Sequence, residues 1–416
     1  MLVLRHCRQL ITCAGPAPRR GSRQGQLEII ADGSLAISGE RIAFAGRTSE
    51  LEGTLPLPAD ARVVDVRDFS IVPGFVDAHT HAIYAGDRRP ELRRRLAGET
   101  YASIAASGGG IVSTVTATRA ASEDELIAVT RPRLDRMLAC GTTTCEIKSG
   151  YGLDLESELK MLRAIARIGE SHPVDVVATF MGAHEIPREH RASRDAYVDI
   201  VVNDMIPAVA AAKLASWCDV FCETGVFTPE ESQRILRAGS VAGLQPRIHA
   251  DELGASGGSL VAAEVGARSA DHLIFVPDDG IGAMARANVT ATLLPAAAFY
   301  LKLGRFAPAR ALIEAGVAVA LATDVNPGGG FSSSMPFVMA LGCFAMGLTF
   351  EEALTAATIN GAWSLDRASD VGSLEPGKLA DAVLVRGDAT DLLHVPTPIA
   401  GVLKRGQLVA GTMGTS

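Results

Sequence analysis

From residue 70 onward, short apolar runs alternate with longer stretches in which apolar residues recur at helical spacing. The runs predict strands at 71–79, 141–147, 174–181, 218–223, 245–249, 269–274, 289–294 and 317–323. The stretches between them predict helices at 122–139, 154–170, 194–213, 229–239, 258–267 and 306–315. Runs that are apolar on both faces suit parallel strands covered by helices. Eight of them in alternation predict an α/β fold, a (β/α)8 TIM barrel over 70–367. A doubly wound open sheet is the alternative, but no glycine-rich dinucleotide turn follows the first strand. The ends read differently. Pieces such as LEIIADGSLAISGERIAFAG and ARVVDV within 1–69, and VGSLEPGKLADAVLVRG and IAGVLKRGQLVAG within 368–416, alternate briefly and break at Gly, Asp and Pro. They predict a small β-sandwich domain built from both chain ends.

Composition narrows the function. Hydrophobic residues make up 48% and charged residues 21%, as in an ordinary globular protein. The net charge of −8, with no basic stripe to offset it, argues against a nucleic-acid partner. The arginines at 88, 89 and 93–95 are interleaved with Glu91 and read as a solvated helix face, Arg88 excepted. Seven cysteines without CxxC spacing fit reduced thiols and a cytoplasmic location. The N-terminal stretch has no secretory pattern, and no apolar run approaches membrane-spanning length, so no membrane partner is expected.

In such a barrel, chemistry sits at the C-terminal ends of the strands. The predicted ends carry His79 and His81, Glu146 to Gly152, His184, Glu223, His249 to Glu252, Asp271-His272 and Asp324. Only His6, His172, His190 and His394 lie elsewhere. Residues i and i+2 of a strand share a face, so His79 and His81 can grip one ion. With His249 and Asp324 they form a donor set that suits Zn²⁺ or Fe, with a position left for water. Glu252 stands three residues past His249, within reach of that water without being a ligand, and His272 is the other candidate proton carrier.

With these residues placed, the chain resembles the amidohydrolase superfamily through PGFVDAHTH (73–81), His249, His272, Asp324 and VGSLEPGKLADAVLV (371–385). EIKSGYGL (146–153), TFMGAH (179–184), HADE (249–252), ASGGGIVSTVTATRAAS (106–122) and DVNPG (324–328) are similar to its branch that opens an imidazolone ring in histidine degradation. The resemblance implies hydrolysis of 4-imidazolone-5-propanoate to N-formimidoyl-L-glutamate, with one Zn²⁺ or Fe ion per subunit and a homodimer. It implies that His79, His81, His249 and Asp324 bind the metal, that Arg88, Tyr151 and His184 contact the substrate, and that Asn326 and Gly328 bind substrate or product. The chemistry agrees, since a propanoate needs a cationic fork and a polar ring needs directed hydrogen bonds. The chain departs from the family pattern at Gly329 and Gly330, where a Thr or Ser follows NPG. A hydroxyl contact is then lost, or replaced by backbone N–H or by Ser332–Ser334. Glu223 takes a structural role, because no lysine stands at that strand end to bridge a second metal.

The expected chemistry is attack of water on the ring carbonyl, with His272 or Asp324 taking its proton and Glu252 delivering one to the departing nitrogen. Two rivals compete. A mononuclear deaminase of a nucleobase-like ring would use the same histidines and carboxylates, but a neutral base offers Arg88 no anionic partner. A catalytically inactive scaffold would be expected to have lost metal ligands, and this chain keeps all of them.

Overall fold

The computed structural model describes residues 1–99, 103 and 109–413; residues 106–108 of the ASGGGIVS stretch therefore lie outside the described residues. The first five strands are β1 (Leu2–Ile11), β2 (Ile29–Ser38), β3 (Arg41–Arg47), β4 (Arg62–Asp65) and β5 (Phe69–Pro73). Eight more follow: β6 (Phe75–Asp77), β7 (Thr142–Lys148), β8 (Asp175–Ala183), β9 (Trp217–Cys222), β10 (Gln245–Ala250), β11 (Ser269–His272), β12 (Thr290–Leu293) and β13 (Val319–Leu321). The last three are β14 (Ala382–Arg386), β15 (Ile399–Lys404) and β16 (Gln407–Gly411).

Strands β6 to β13 pair in chain order, all parallel, as the alternation of apolar runs and helices predicts. The cylinder closes just beyond the strand ends. Asp324 N donates to His79 O (3.1 Å), His81 N donates to Val325 O (3.0 Å), and the buried Asp77 carboxylate accepts from Thr323 N and Oγ1 at 3.0 and 2.6 Å. Both chain ends combine as expected, hydrogen-bonded as one mixed eight-stranded sheet in the order β16-β15-β14-β5-β1-β2-β3 with β4 beside β1. Its apolar residues, among them Leu4, Leu10, Leu35, Phe69, Ile71 and Leu384, form a core separate from that of the barrel. The carboxylate of Asp175, at the N-terminal start of β8, meets Arg367, Lys404 and Arg405 at 3.0–3.1 Å and ties the sheet to the barrel end remote from the histidines.

One predicted strand divides. The run at 71–79 was expected to be a single barrel strand, yet its first residues belong to β5 and pair with β1 and β14. Only Phe75–Asp77 enters the barrel. Gly74 is the crossing point, because a Cβ there would lie 2.3 Å from Thr143 Oγ1, so no larger residue lets the chain pass. The predicted helix 194–213 is likewise broken into Arg194–Ile200, a wide turn at Val201–Met205 and Ile206–Ala212. Pro207 has no N–H for the regular ladder, and the widened turn absorbs the loss. Several other helices start where side chains cap them, as Ser122 with Glu125 and Thr228 with Glu231 do in reciprocal capping boxes. Among the described residues, no helix is long and apolar enough to cross a membrane.

Candidate active site

His79 and His81 leave β6 on one face, and the barrel brings His249 (β10), His272 (β11) and Asp324 (beyond β13) to meet them. Ring nitrogens of His79, His249 and His272 lie within 4.8 Å of one another, as do donor atoms of His79, His81 and Asp324. Asp271 Oδ2 sits 2.6 Å from His79 Nδ1, and Asp219 Oδ1 sits 3.0 Å from His249 Nδ1. These carboxylates draw the Nδ1 protons, so both Nε2 atoms carry lone pairs aimed inward. His79 Nε2 is buried with no hydrogen-bond partner, and His81 Nε2 lies 3.2 Å from His249 Nε2. Asp324 Oδ1 is 3.6 Å from His79 Nε2 and 3.7 Å from His81 Nε2. An unpartnered buried nitrogen beside converging imidazoles and a carboxylate fits a divalent cation of the Zn²⁺ or Fe type.

Burial holds His79, His81 and His272 well below the usual imidazole range, so all three are neutral and suited to ligation or proton acceptance. It pushes Asp324 up to about 7. Burial, followed by the neighbouring Asp324 and Glu223 charges, raises Glu252 well above its ordinary value and so favours its protonated form. Glu252 Oε1 lies 3.6 Å from His272 Nδ1. The loop carrying Glu252 is braced by Glu223, whose Oε2 accepts from Leu253 N at 2.8 Å. His272 and Asp324 hold left-handed φ of 74° and 52°, conformations a non-glycine residue keeps only where its surroundings enforce them.

Beneath the histidines lies a buried charge network that the reading of the strand ends missed. Lys148 Nζ donates to Glu146 Oε1 (2.7 Å) and Asp219 Oδ2 (2.6 Å), and Arg247 Nη2 donates to Asp271 Oδ2 (3.3 Å). Burial alone would raise Asp219, but His249 and Lys148 hold it well below its usual range. So the two carboxylates that orient His79 and His249 are themselves held by buried cations. The available signal was charge inside otherwise apolar strands: Glu146-x-Lys148, Arg247-x-His249 and Asp219 within WCDVFC.

Above the histidines opens a cavity of about 540 Å³ that His81, His249, Glu252, His272 and Asp324 share with Arg88, Tyr151, His184, Asn326, Gly328 and Gly329. Arg88 is only 7% exposed, and its Nε donates to Glu91 Oε2 at 2.9 Å. Its guanidinium packs onto Gly328, where a Cβ would come within 2.5 Å of Nη1. The rings of His184 and His81 stack at 4.8 Å, with Tyr151 5.2 Å from His184. Burial lowers His184 to about 3. Asn326 turns its amide into its own loop: Nδ2 donates to Asp324 O (2.8 Å), and Oδ1 accepts from Gly328 N and Gly329 N at 2.7 and 2.6 Å. Gly330 is obligatory, since a Cβ there would lie 1.6 Å from Asp324 O. Arg95, expected on a solvated helix face, lines the cavity instead, as do Phe221 and Tyr300, which no motif marked.

Residues 70–413 match the model of the amidohydrolase family, and the chain belongs to that family. Within it, the similarity is to imidazolonepropionases. That of Alkaliphilus metalliredigens (strain QYMF) is 45% identical, over 98% of this chain and 97% of its own. That of Symbiobacterium thermophilum is 47% identical, over 96% of this chain and 95% of its own. Among solved structures, atrazine chlorohydrolase from Arthrobacter aurescens TC1, complexed with zinc, shares the fold with a TM-score of 0.73 at 20% identity, covering 99% of this chain and 96% of that one.

Proposed function

We propose that this protein hydrolyses 4-imidazolone-5-propanoate to N-formimidoyl-L-glutamate, the reaction of the imidazolonepropionases it resembles. The observation that carries the reading is a buried guanidinium, Arg88, sharing one cavity with the histidine and carboxylate cluster. Glu91 holds the Nε edge of that guanidinium, and the remaining N–H groups bind the propanoate. Tyr151 and His184 wall the ring, and the Asn326 loop shapes the wall opposite through Gly328 and Gly329. With the tail clamped, the carbonyl carbon stands over the cluster in reach of water.

His79, His81, His249 and Asp324 would hold one Zn²⁺ or Fe ion per subunit, which would supply Lewis acidity to the carbonyl and lower the pKa of water. The protein's own groups move the protons. His272 or Asp324 takes one from the attacking water as its oxygen bonds to the carbonyl carbon. Glu252, whose protonated form burial favours, gives its proton to the ring nitrogen as the C–N bond breaks. The proton held by His272 or Asp324 then returns to Glu252, and the new carboxyl group loses its own proton to solvent. Smaller parts of the proposal are a cytoplasmic location, supported by the unpaired cysteines, and a homodimer, supported by family resemblance. A division into 1–69 with 368–416 and 70–367 is a further part, supported by the two separate sheets, although residues 70–73 of β5 pair in the mixed sheet.

Metal-loaded protein incubated with freshly made imidazolonepropanoate, cyclic amides and aminated bases tests the reading. Loss of ring absorbance without ammonia is expected. Ammonia release from an aminated base, with the imidazolone untouched, would assign the site to a deaminase.

A further inference from the structure

We infer that Glu158 is a positioning residue for substrate binding: its carboxylate sets the backbone of residues 150–153, and through it Tyr151 and His184. The inference rests on the reading of Tyr151 and His184 as substrate contacts. Glu158 lies in the helix Leu155–Gly169, behind the loop that leaves β7, and is fully buried. A buried carboxylate is costly unless compensated, and among the described residues no cation forms an ion pair with it. Its partners are the Ser149 side chain and three backbone N–H groups. Gly150 N donates to both oxygens at 3.1 Å, and Gly152 N and Leu153 N donate to Oε1 at 2.8 and 2.9 Å.

Three N–H groups converging on one carboxylate oblige the loop to turn its donors inward. Gly150 (φ +95°) and Leu153 (φ 55°) adopt left-handed conformations to do so, and Gly152 lies so close to the helix that a Cβ would sit 2.6 Å from Glu158 N. The carbonyls then face outward. Arg119 donates to Gly152 O (2.6 Å) and Leu153 O (3.1 Å), while Gly150 O lies 2.9 Å from His184 Nδ1. Gly150 O only accepts, so His184 carries its proton on Nδ1 and its lone pair on Nε2. One helical carboxylate thus sets the orientation of Tyr151 and, through one peptide carbonyl, the tautomer of His184.

E158Q keeps the shape but presents an NH₂ to the loop's N–H groups. In folded E158Q of unchanged metal content, KM is expected to rise roughly tenfold, the worth of about one hydrogen bond, with kcat changed less than about twofold. In an H184F background the same substitution is expected to cost much less, because the carbonyl has lost its partner. If E158Q does not fold, R119M loosens the same loop from its carbonyl side and is expected to raise KM in the same direction. ¹⁵N NMR of His184 reads the proposal without substrate: Nδ1–H in the unaltered protein, mixed tautomers in E158Q. An unchanged KM and an unchanged His184 tautomer in folded E158Q would overturn the inference. Failure of the unaltered protein to open the imidazolone, with the NMR change still present, would overturn the functional reading alone.

Discussion

The floor of the cavity and its rim are held in opposite ways. On the floor, His79 and His249 are oriented by carboxylates that buried Lys148 and Arg247 neutralise. Charge is set against charge, on rigid strands. At the rim, the Tyr151 loop and the Asn326 loop are fixed by one carboxylate and one amide reading backbone groups, and Arg88 is balanced locally by Glu91. The floor therefore depends on the whole barrel being closed, whereas each rim element depends on its own loop. Damage to the floor should reach metal retention and stability; damage to the rim should appear in KM.

The largest effect belongs to the group between the two. E252Q is expected to cut turnover by roughly 10²–10⁴, the usual worth of a positioned proton carrier, with metal content unchanged by elemental analysis. A variant that keeps full kcat would remove Glu252 from proton transfer. D271N breaks the floor: it weakens the orientation of His79 and leaves Arg247 short of a counter-charge. Metal affinity should fall about 10–100-fold, read by dialysis against a graded chelator, and an unaltered affinity would disprove the dependence. R88A breaks the rim. Losing a charge-assisted contact worth about 1.5–3 kcal/mol should raise KM about 10–100-fold with metal content unchanged. A fall in kcat at constant KM would mean that Arg88 acts on the reaction rather than on the tail. The smallest change is expected for G329S, which places a hydroxyl residue where the resemblance implies one. Its Cβ meets only the flexible Leu301 side chain, at 3.0 Å, so KM should shift by less than about threefold. A larger shift would make this position a determinant of selectivity.

How much of this was legible in the chain follows the same divide. His79, His81, His249 and Asp324 could be read because each ends a predicted strand, and barrel geometry puts all such ends on one side. The Lys148, Asp219, Arg247 and Asp271 network was marked only by charge within apolar strands, and no local spacing shows which of its members pair across strands. The split between β5 and β6 was hidden too: the apolar run is continuous, and only the approach of Gly74 to Thr143 shows where the chain changes sheets. Asn326 was read as facing the ligand because its type allows it, but two backbone N–H groups and a carbonyl within its own loop claim its amide.

The seam where the last barrel strand meets the first has a consequence for biogenesis. His79 and His81 stand on one side of it and Asp324 on the other, joined by Asp324 N to His79 O and His81 N to Val325 O. During synthesis the two histidines leave the ribosome long before residue 324 exists, and until then the donor set is incomplete. On the proposed ligand set, metal capture would wait for closure of the cylinder, and unfinished or truncated chains would make poor competitors for a scarce ion, leaving it to molecules already able to use it.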